Sequence, residues 1–351
     1  MFIIPIANQL SYQSIPRNKE LKLTINNHCD FPSRVLVVDW QGNCFVCACE
    51  AWLPITVGNI TNFNKLADVW NSPVAQDLQA DIDQKKFTFC AVDRCGILDK
   101  NMQAASYSGH DSSPNMHYIS INVDESCNLH CPSCRKDSIM HSSGFEYETK
   151  LAQINHMVDL LERCDYPMHI IMSGNGDPLA STIMRPLLHR WQPKKDQTIR
   201  LFTNGLLLEK QLTNNKIVDN ITQYFISIDA GSAEIYQQVR APGRFDILMK
   251  NFDFLRQLVD QTQATVLLKF VLQKTNYNDM QNFVDLCEKY QFNGVINRLE
   301  DWGTWEEYKQ HDVVGNVDHP LHTMTINNLK NIHAQNHPLI DFDASLIELT
   351  K

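Results

Sequence analysis

His117-Tyr118-Ile119-Ser120-Ile121-Asn122-Val123 runs almost directly into Cys127-Asn128-Leu129-His130-Cys131-Pro132-Ser133-Cys134, and this junction decides the fold. The first half is apolar and rich in β-branched residues, so it reads as a strand. The second half is a C-x3-C-x2-C loop. Thiolates are the natural ligands of iron–sulfur clusters. Three of them satisfy three corners of a [4Fe–4S] cube and leave one iron without a protein ligand. An open metal position is where a substrate or cofactor binds, the same logic that separates catalytic from structural zinc. On spacing alone, a structural zinc loop completed by His130 or by a distant cysteine stays open as an alternative.

Downstream of the loop the pattern alternates between strand and helix. Strands are expected at Met168–Ser173, Thr198–Thr203, Tyr224–Asp229, Thr265–Leu272 and Gly294–Leu299. Helices are expected over Tyr147–Cys164, Ser181–Trp191, Leu206–Val218, Ile247–Gln261 and Asn278–Tyr290. The strands are apolar almost throughout, as a parallel sheet covered by helices requires. With His117–Val123 these make six β/α units, which fit an open partial barrel better than a closed eight-fold one. In such folds the chemistry lies at the carboxyl ends of the strands.

Upstream, Val35–Trp40 reads as a strand, Gln41-Gly42-Asn43 as a hairpin turn and Cys44–Val46 as the return strand. A helix follows from about Leu66 to Ile82, broken near Pro73. The polar link Ala104–Asn115 looks like a domain junction. The division expected is 1–105 for a small α+β domain, 106–312 for the partial barrel and 313–351 for a His- and Asn-rich tail that says little. The formal net charge of −9 argues against broad attraction to nucleic acid or anionic lipid. No apolar run reaches the roughly 20 residues of a membrane span. Met1–Leu10 lacks a basic leader, so no secretory signal and a cytoplasmic location are expected. Nine of the eleven cysteines fall in three groups before residue 135, which points to metal rather than to disulfides. Cys164 and Cys287 stand alone in expected helices and read as buried thiols.

The position of the loop after the first barrel strand resembles the radical S-adenosylmethionine (SAM) superfamily. Ser133 departs from it, since that family usually carries an aromatic residue there. Met172-Ser173-Gly174-Asn175-Gly176-Asp177-Pro178-Leu179 resembles the family's Gly-Gly-Glu-Pro segment, with Asp177 in place of the longer acid. Phe202-Thr203-Asn204-Gly205 resembles its Thr-Asn-Gly segment, and Ser227-Ile228-Asp229 ends the fourth strand. Ile235–Arg244, with Tyr236, Arg240 and Gly243, resembles a stretch of the subgroup that carries extra clusters. The resemblance implies that Cys127, Cys131 and Cys134 hold a SAM-binding [4Fe–4S] cluster. It further implies that Gly174, Asn175, Gly176, Asp177, Asn204, Ser227, Asp229 and Arg240 contact SAM, Arg240 through a guanidinium fork suited to a carboxylate. Glu300-Asp301-Trp302-Gly303-Thr304-Trp305 follows the sixth strand; no catalytic acid or base is assigned there.

Cys29, Gly42 and Cys47 form C-x12-G-x4-C, and Phe89-Cys90 to Cys95 closes the cysteine-rich segment. This resembles the twitch or SPASM auxiliary-cluster module. It implies a second auxiliary [4Fe–4S] cluster on Cys29, Cys47, Cys90 and Cys95. Two departures stand out: the second pair is C-x4-C where C-x2-C is common, and the module precedes the barrel. Cys44 and Cys49 are spare thiols, and strand alternation with the Gly-x4-Cys spacing favours Cys47 as ligand. A zinc ribbon is the alternative reading.

Taken together the resemblance implies reductive cleavage of SAM to a 5′-deoxyadenosyl radical that takes hydrogen from a substrate, with a ferredoxin- or flavodoxin-type electron donor. The expected reaction is oxidation, crosslinking or epimerisation of a peptide or protein. A dehydrogenase or epimerase acting on a small-molecule sugar, aminocyclitol or nucleotide-sugar comes second, and a nonenzymatic zinc-binding interaction protein third.

Overall fold

The computed structural model describes residues 29–48, 53–91, 95, 98, 116–173 and 175–350. Met1–Leu10, the junction Ala104–Asn115, Cys49 and Gly174 lie outside the described residues. The chain divides into two compact units. One comprises 1–125, 141–175 and 182–199, and the other 126–140, 176–181 and 200–351.

The first unit opens with α1 (Phe31–Arg34), β1 (Val35–Val38), β2 (Asn43–Phe45) and β3 (Thr56–Asn59). The expected hairpin forms, with Val38 opposite Cys44, and β3 adds antiparallel to β2. Its turn is built by Asp39, whose Oδ1 accepts the Gln41 and Asn43 N–H groups, both at 2.8 Å. Gly42 takes φ +81°, where a side chain would be strained. The expected helix break near Pro73 separates α2 (Ala67–Trp70) from α3 (Pro73–Asp83). Ser72 caps α3, its Oγ accepting from Ala75 N at 3.3 Å, and Pro73 sits in the first turn, where its missing N–H costs nothing.

β4 (His117–Ile121), α4 (Phe145–Glu162), β5 (Met168–Met172) and α5 (Arg185–His189) complete this unit. β5 pairs parallel with β4, and β4 pairs parallel with β1, Val35 beside Tyr118 through Val38 beside Ile121. The hairpin strand is therefore a direct neighbour of the first barrel strand. All four residues of β1 are buried, as a strand covered on both faces demands.

The chain enters the second unit within β6 (Gln197–Thr203). There follow α6 (Leu208–Leu212), β7 (Ile221–Ser227), α7 (Ala233–Val239), α8 (Phe245–Thr262), β8 (Thr265–Leu272), α9 (Met280–Tyr290), β9 (Asn293–Arg298), α10 (His322–Ala334), β10 (Ile340–Phe342) and α11 (Ala344–Thr350). β7, β8, β9 and β10 are parallel neighbours in that order. Along β8 every second residue from Val266 to Leu272 is buried, and Phe270 meets Phe283 of α9 at 5.1 Å. Leu267, Lys269 and Val271 face the other way and are half-buried.

α5 is shorter than the expected Ser181–Trp191, and two expectations change in the second unit. The helix expected over Leu206–Val218 is α6 followed by a separate 3-10 turn, Lys216–Asn220. Asn214 at φ +57° ends the first piece, and the Asn215 side chain caps the second. The tail that says little in sequence folds into a further helix–strand–helix, with Ile340 of β10 beside Gly294 of β9. The whole is a mixed α/β fold with parallel strands, consistent with a partial barrel plus a small N-terminal domain. Among the described residues no helix is long and apolar enough to cross a membrane.

Candidate metal centres

In the second unit the cysteine loop is folded tightly on itself. Cys127 N donates to Ile139 O at 3.0 Å, and Cys134 N and Arg135 N both donate to Cys131 O, at 2.9 and 3.1 Å. Cys131 is buried, Cys127 half-buried and Cys134 exposed. His130 N donates to Ala241 O at 2.8 Å, which ties the loop to the chain just beyond α7. Burial pushes the Cys127 thiol up to about 12, helped by the charge of Asp177. Burial also pushes Cys131 up, opposed by Arg240. Such thiols give up their protons as metal binds.

Asp177 and Asp229 are both buried to within a few per cent. The Asp177 carboxylate accepts four hydrogen bonds: from Leu179 N and Ala180 N at 3.0 and 3.3 Å, and from Thr203 Oγ1 and Asn204 N at 2.8 and 2.6 Å. A carboxylate offers about four lone-pair sites, so Asp177 is saturated from within. Burial pushes its carboxyl up and these bonds oppose that. Asp229, at φ +53°, accepts from Val271 N at 2.9 Å and from Arg240 Nη2 at 2.6 Å. Burial pushes the Asp229 carboxyl up and the Arg240 guanidinium opposes it.

The two acids hold donors that face the loop. Asn204 Nδ2 donates to Asn128 Oδ1 at 2.8 Å and reaches Cys127 Sγ at 3.9 Å. Arg240 Nη1 reaches Cys131 Sγ at 3.7 Å, and its Nε is buried with no hydrogen-bond partner among the described residues. Gly243 secures the Arg240 backbone: its N donates to Arg240 O at 2.6 Å, and a Cβ there would stand 2.5 Å from that oxygen. The structure thus brings Cys127, Asn204, Asp177, Cys131, Arg240 and Asp229 together. Gly176 and Ser227 are half-buried, Ser227 at the carboxyl end of β7. In the first unit Asn175 N donates to Asp124 O at 3.0 Å.

The first unit holds the other cysteine group. Cys29, Cys47, Cys90 and Cys95 line a single pocket, walled by Phe31, Val46, Leu53, Ile82, Phe87 and Leu98, with about 380 Å³ of free space including its open mouth. Burial pushes Cys29 up to about 11 and Cys90 up to about 12. Cys44 is not part of this lining; it is fully buried, and its Sγ–H donates to Gly42 O at 3.9 Å.

Sequence reasoning missed a charged cluster in the same unit. Ligand atoms of Glu125, His141 and Glu146 lie within 4.8 Å of one another. The cation there is Lys150, 3.8 Å from each glutamate and hydrogen-bonded to Trp40 O and Val123 O at 2.9 and 3.0 Å. It is an ion-pair cluster. Near the end of β9, in the second unit, Trp305 stacks on His311 at 4.0 Å, and Tyr308 Oη donates to Leu299 O at 2.7 Å.

Both thiol groups suit the chemistry of an iron–sulfur cluster. One offers three sulfurs, each with an N–H donor beside it: Leu129 N at 3.4 Å and Asn204 Nδ2 at Cys127, Arg240 at Cys131 and Arg135 at Cys134. The other offers four sulfurs in an apolar wall. Comparison with known proteins agrees. The Radical SAM superfamily description matches residues 121–287, and the SPASM iron-sulfur cluster-binding domain matches residues 29–96. The chain therefore carries a radical SAM domain and a SPASM-type iron–sulfur domain. Its radical SAM domain implies SAM and a [4Fe–4S] cluster, and its SPASM-type domain implies an auxiliary iron–sulfur cluster.

Among curated relatives, an AdoMet-dependent heme synthase of Oleidesulfovibrio alaskensis is 27% identical over 51% of this chain and 44% of its own length. A probable GTP 3′,8-cyclase of Methanococcus maripaludis is 22% identical over 55% of this chain and 61% of its own. The mycofactocin maturase MftC of Mycobacterium tuberculosis is 24% identical over 50% and 43%. The chain thus spans about half the length of the curated relatives it matches. Among solved structures, Streptococcus suis SuiB bound to S-adenosylmethionine is 13% identical with a TM-score of 0.40, covering 88% of this chain and 71% of that one.

Proposed function

We propose that this radical SAM protein binds SAM at a [4Fe–4S] cluster held by Cys127, Cys131 and Cys134, and carries an auxiliary [4Fe–4S] cluster on Cys29, Cys47, Cys90 and Cys95. The observation that carries the reading is the pairing of a three-thiol loop with a separate four-thiol pocket. Three ligands leave an iron open and four close a cube. When bound and reduced by a ferredoxin- or flavodoxin-type donor, these groups supply SAM cleavage and hydrogen abstraction, with the auxiliary cluster serving electron transfer or substrate holding.

The chain's own residues bind and orient. Asp177 is saturated from within by Leu179, Ala180, Thr203 and Asn204, so its carboxylate has no acceptor left for SAM, and the contact falls to the backbone of Gly174, Asn175 and Gly176. Ser227 is half-buried at the end of β7, and in this reading it meets the ribose or carboxylate side of SAM. Asp229 acts through Arg240. The buried Arg240 Nε has a donor to spare for the SAM carboxylate.

For substrate, peptide or protein modification comes first. The SPASM-type domain supports it, as does likeness to a protein named a maturase. A sugar, aminocyclitol or nucleotide-sugar comes second. Anaerobic reconstitution should give a brown protein with about eight irons. Incubation with deuterated candidate peptides and sugars should move label into 5′-deoxyadenosine. Label from sugars and never from peptides reverses the order, and zinc without SAM cleavage removes the enzyme reading.

A further inference from the structure

Two buried carboxylates in the second unit do parallel work. Asp177 accepts Asn204 N at 2.6 Å, and the Asn204 side chain reaches Cys127 Sγ at 3.9 Å. Asp229 accepts Arg240 Nη2 at 2.6 Å, and the other end of the guanidinium reaches Cys131 Sγ at 3.7 Å. Each acid therefore anchors one N–H donor against one cysteine of the loop.

The Arg240 contact is the more telling. A guanidinium meeting a carboxylate for structural reasons tends to present both nitrogens to it in a fork. Here the fork is split, one arm on Asp229 and one on sulfur. A neutral thiol is a weak acceptor and returns little to a buried cation. A thiolate with part of a cluster's negative charge returns far more, and more again in a desolvated site.

We propose that Asn204 and Arg240 are N–H donors to the Cys127 and Cys131 sulfurs of the bound cluster, held by Asp177 and Asp229, and that they raise its reduction potential. This rests on the reading that the loop holds the SAM-binding cluster. Hydrogen bonds to cluster sulfurs and net charge nearby are among the recognised controls of cluster potential. Reduction adds negative charge to the sulfurs, so a donor favours the reduced form. Arg240 has the larger share because it is a full charge, always protonated. Asn204 has the smaller, since its amide is neutral and shared with Asn128 Oδ1. Asp177 and Asp229 are positioning residues, acting on the sulfurs through their partners.

The test uses the full chain, reconstituted anaerobically without substrate. Its potential is followed by paramagnetic resonance, and the loop cluster is identified as the signal that SAM perturbs. Arg240→Gln should shift the midpoint to more negative potential with iron content kept. Asn204→Ser should shift it less, and the double variant by about the sum, since the donors serve different sulfurs. Arg240→Lys keeps a charge but cannot span both partners, so it should fall between wild type and Arg240→Gln. An unchanged midpoint in Arg240→Gln, or in Arg240→Lys if Arg240→Gln loses its cluster, overturns the proposal. A SAM-perturbed signal that survives Cys127→Ala overturns the cluster assignment instead.

Discussion

The cysteine loop of the second unit and the cysteine pocket of the first use the same side chain in opposite settings. The loop presents three thiols, one of them exposed, and surrounds them with an amide, a guanidinium and two buried acids. The pocket presents four thiols and surrounds them with Phe31, Leu53, Ile82, Phe87 and other carbon. A group that must accept an electron and coordinate a charged ligand needs polar atoms that respond to charge. A group that closes its own coordination needs shape and exclusion of water. On the function proposed above, that is the difference expected between a reactive centre and a supporting one.

The sharpest way to break this comparison is to remove one ligand from each side. Cys131→Ala should lower SAM cleavage by more than about 100-fold, beyond the loss typical for an outer partner of a metal site. Cys90→Ala should instead lower iron from about eight to about four per chain and leave reductive cleavage of SAM measurable. Product analysis for 5′-deoxyadenosine, run beside an iron assay, separates the two. Equal loss of cleavage in both variants would mean that the pocket is no mere support.

The polar setting of the loop can be probed by stability. Asp229→Leu leaves the Arg240 charge without its carboxylate, a change that costs about 3 kcal/mol in buried pairs. Urea unfolding of the metal-free chain should show that loss. Asp229→Leu with Arg240→Leu should recover much of it, because the uncompensated charge is gone. No recovery would mean that Asp229 matters chiefly for Val271 and the left-handed turn it occupies.

Much of this was legible in the sequence because apolar runs and cysteine spacings are local signals. Thr265–Leu272 carries its strand in eight consecutive residues, and the structure reproduces those limits. β10 was not legible: Ile340–Phe342 is three residues long and only partly buried. α10 buries just Thr325, Leu329 and Ile332 among asparagines and histidines. The commitments of the acids were hidden for another reason. Asp177 finds Thr203 and Asn204 26 and 27 residues further along the chain. No spacing rule announces a hydrogen bond made across a fold, so a motif acid that resembles a ligand is satisfied internally.

Cys44 against Cys47 is the smallest and most local form of the same contrast. The expectation favoured Cys47 partly on strand alternation, but β2 ends at Phe45, so alternation does not reach it. What distinguishes the two is environment. Cys47 lines the pocket, whereas Cys44 is packed within the hairpin opposite Val38, its thiol pushed up by burial. Cys44→Ala removes one buried sulfur and should cost about 1 kcal/mol, near the lower end for small core truncations, with iron content unchanged. Cys47→Ala should cost the metal-free chain no more than that, yet lose the auxiliary iron. Iron lost from Cys44→Ala and kept in Cys47→Ala would exchange their roles, and would require the hairpin to repack so that Cys44 faces the pocket.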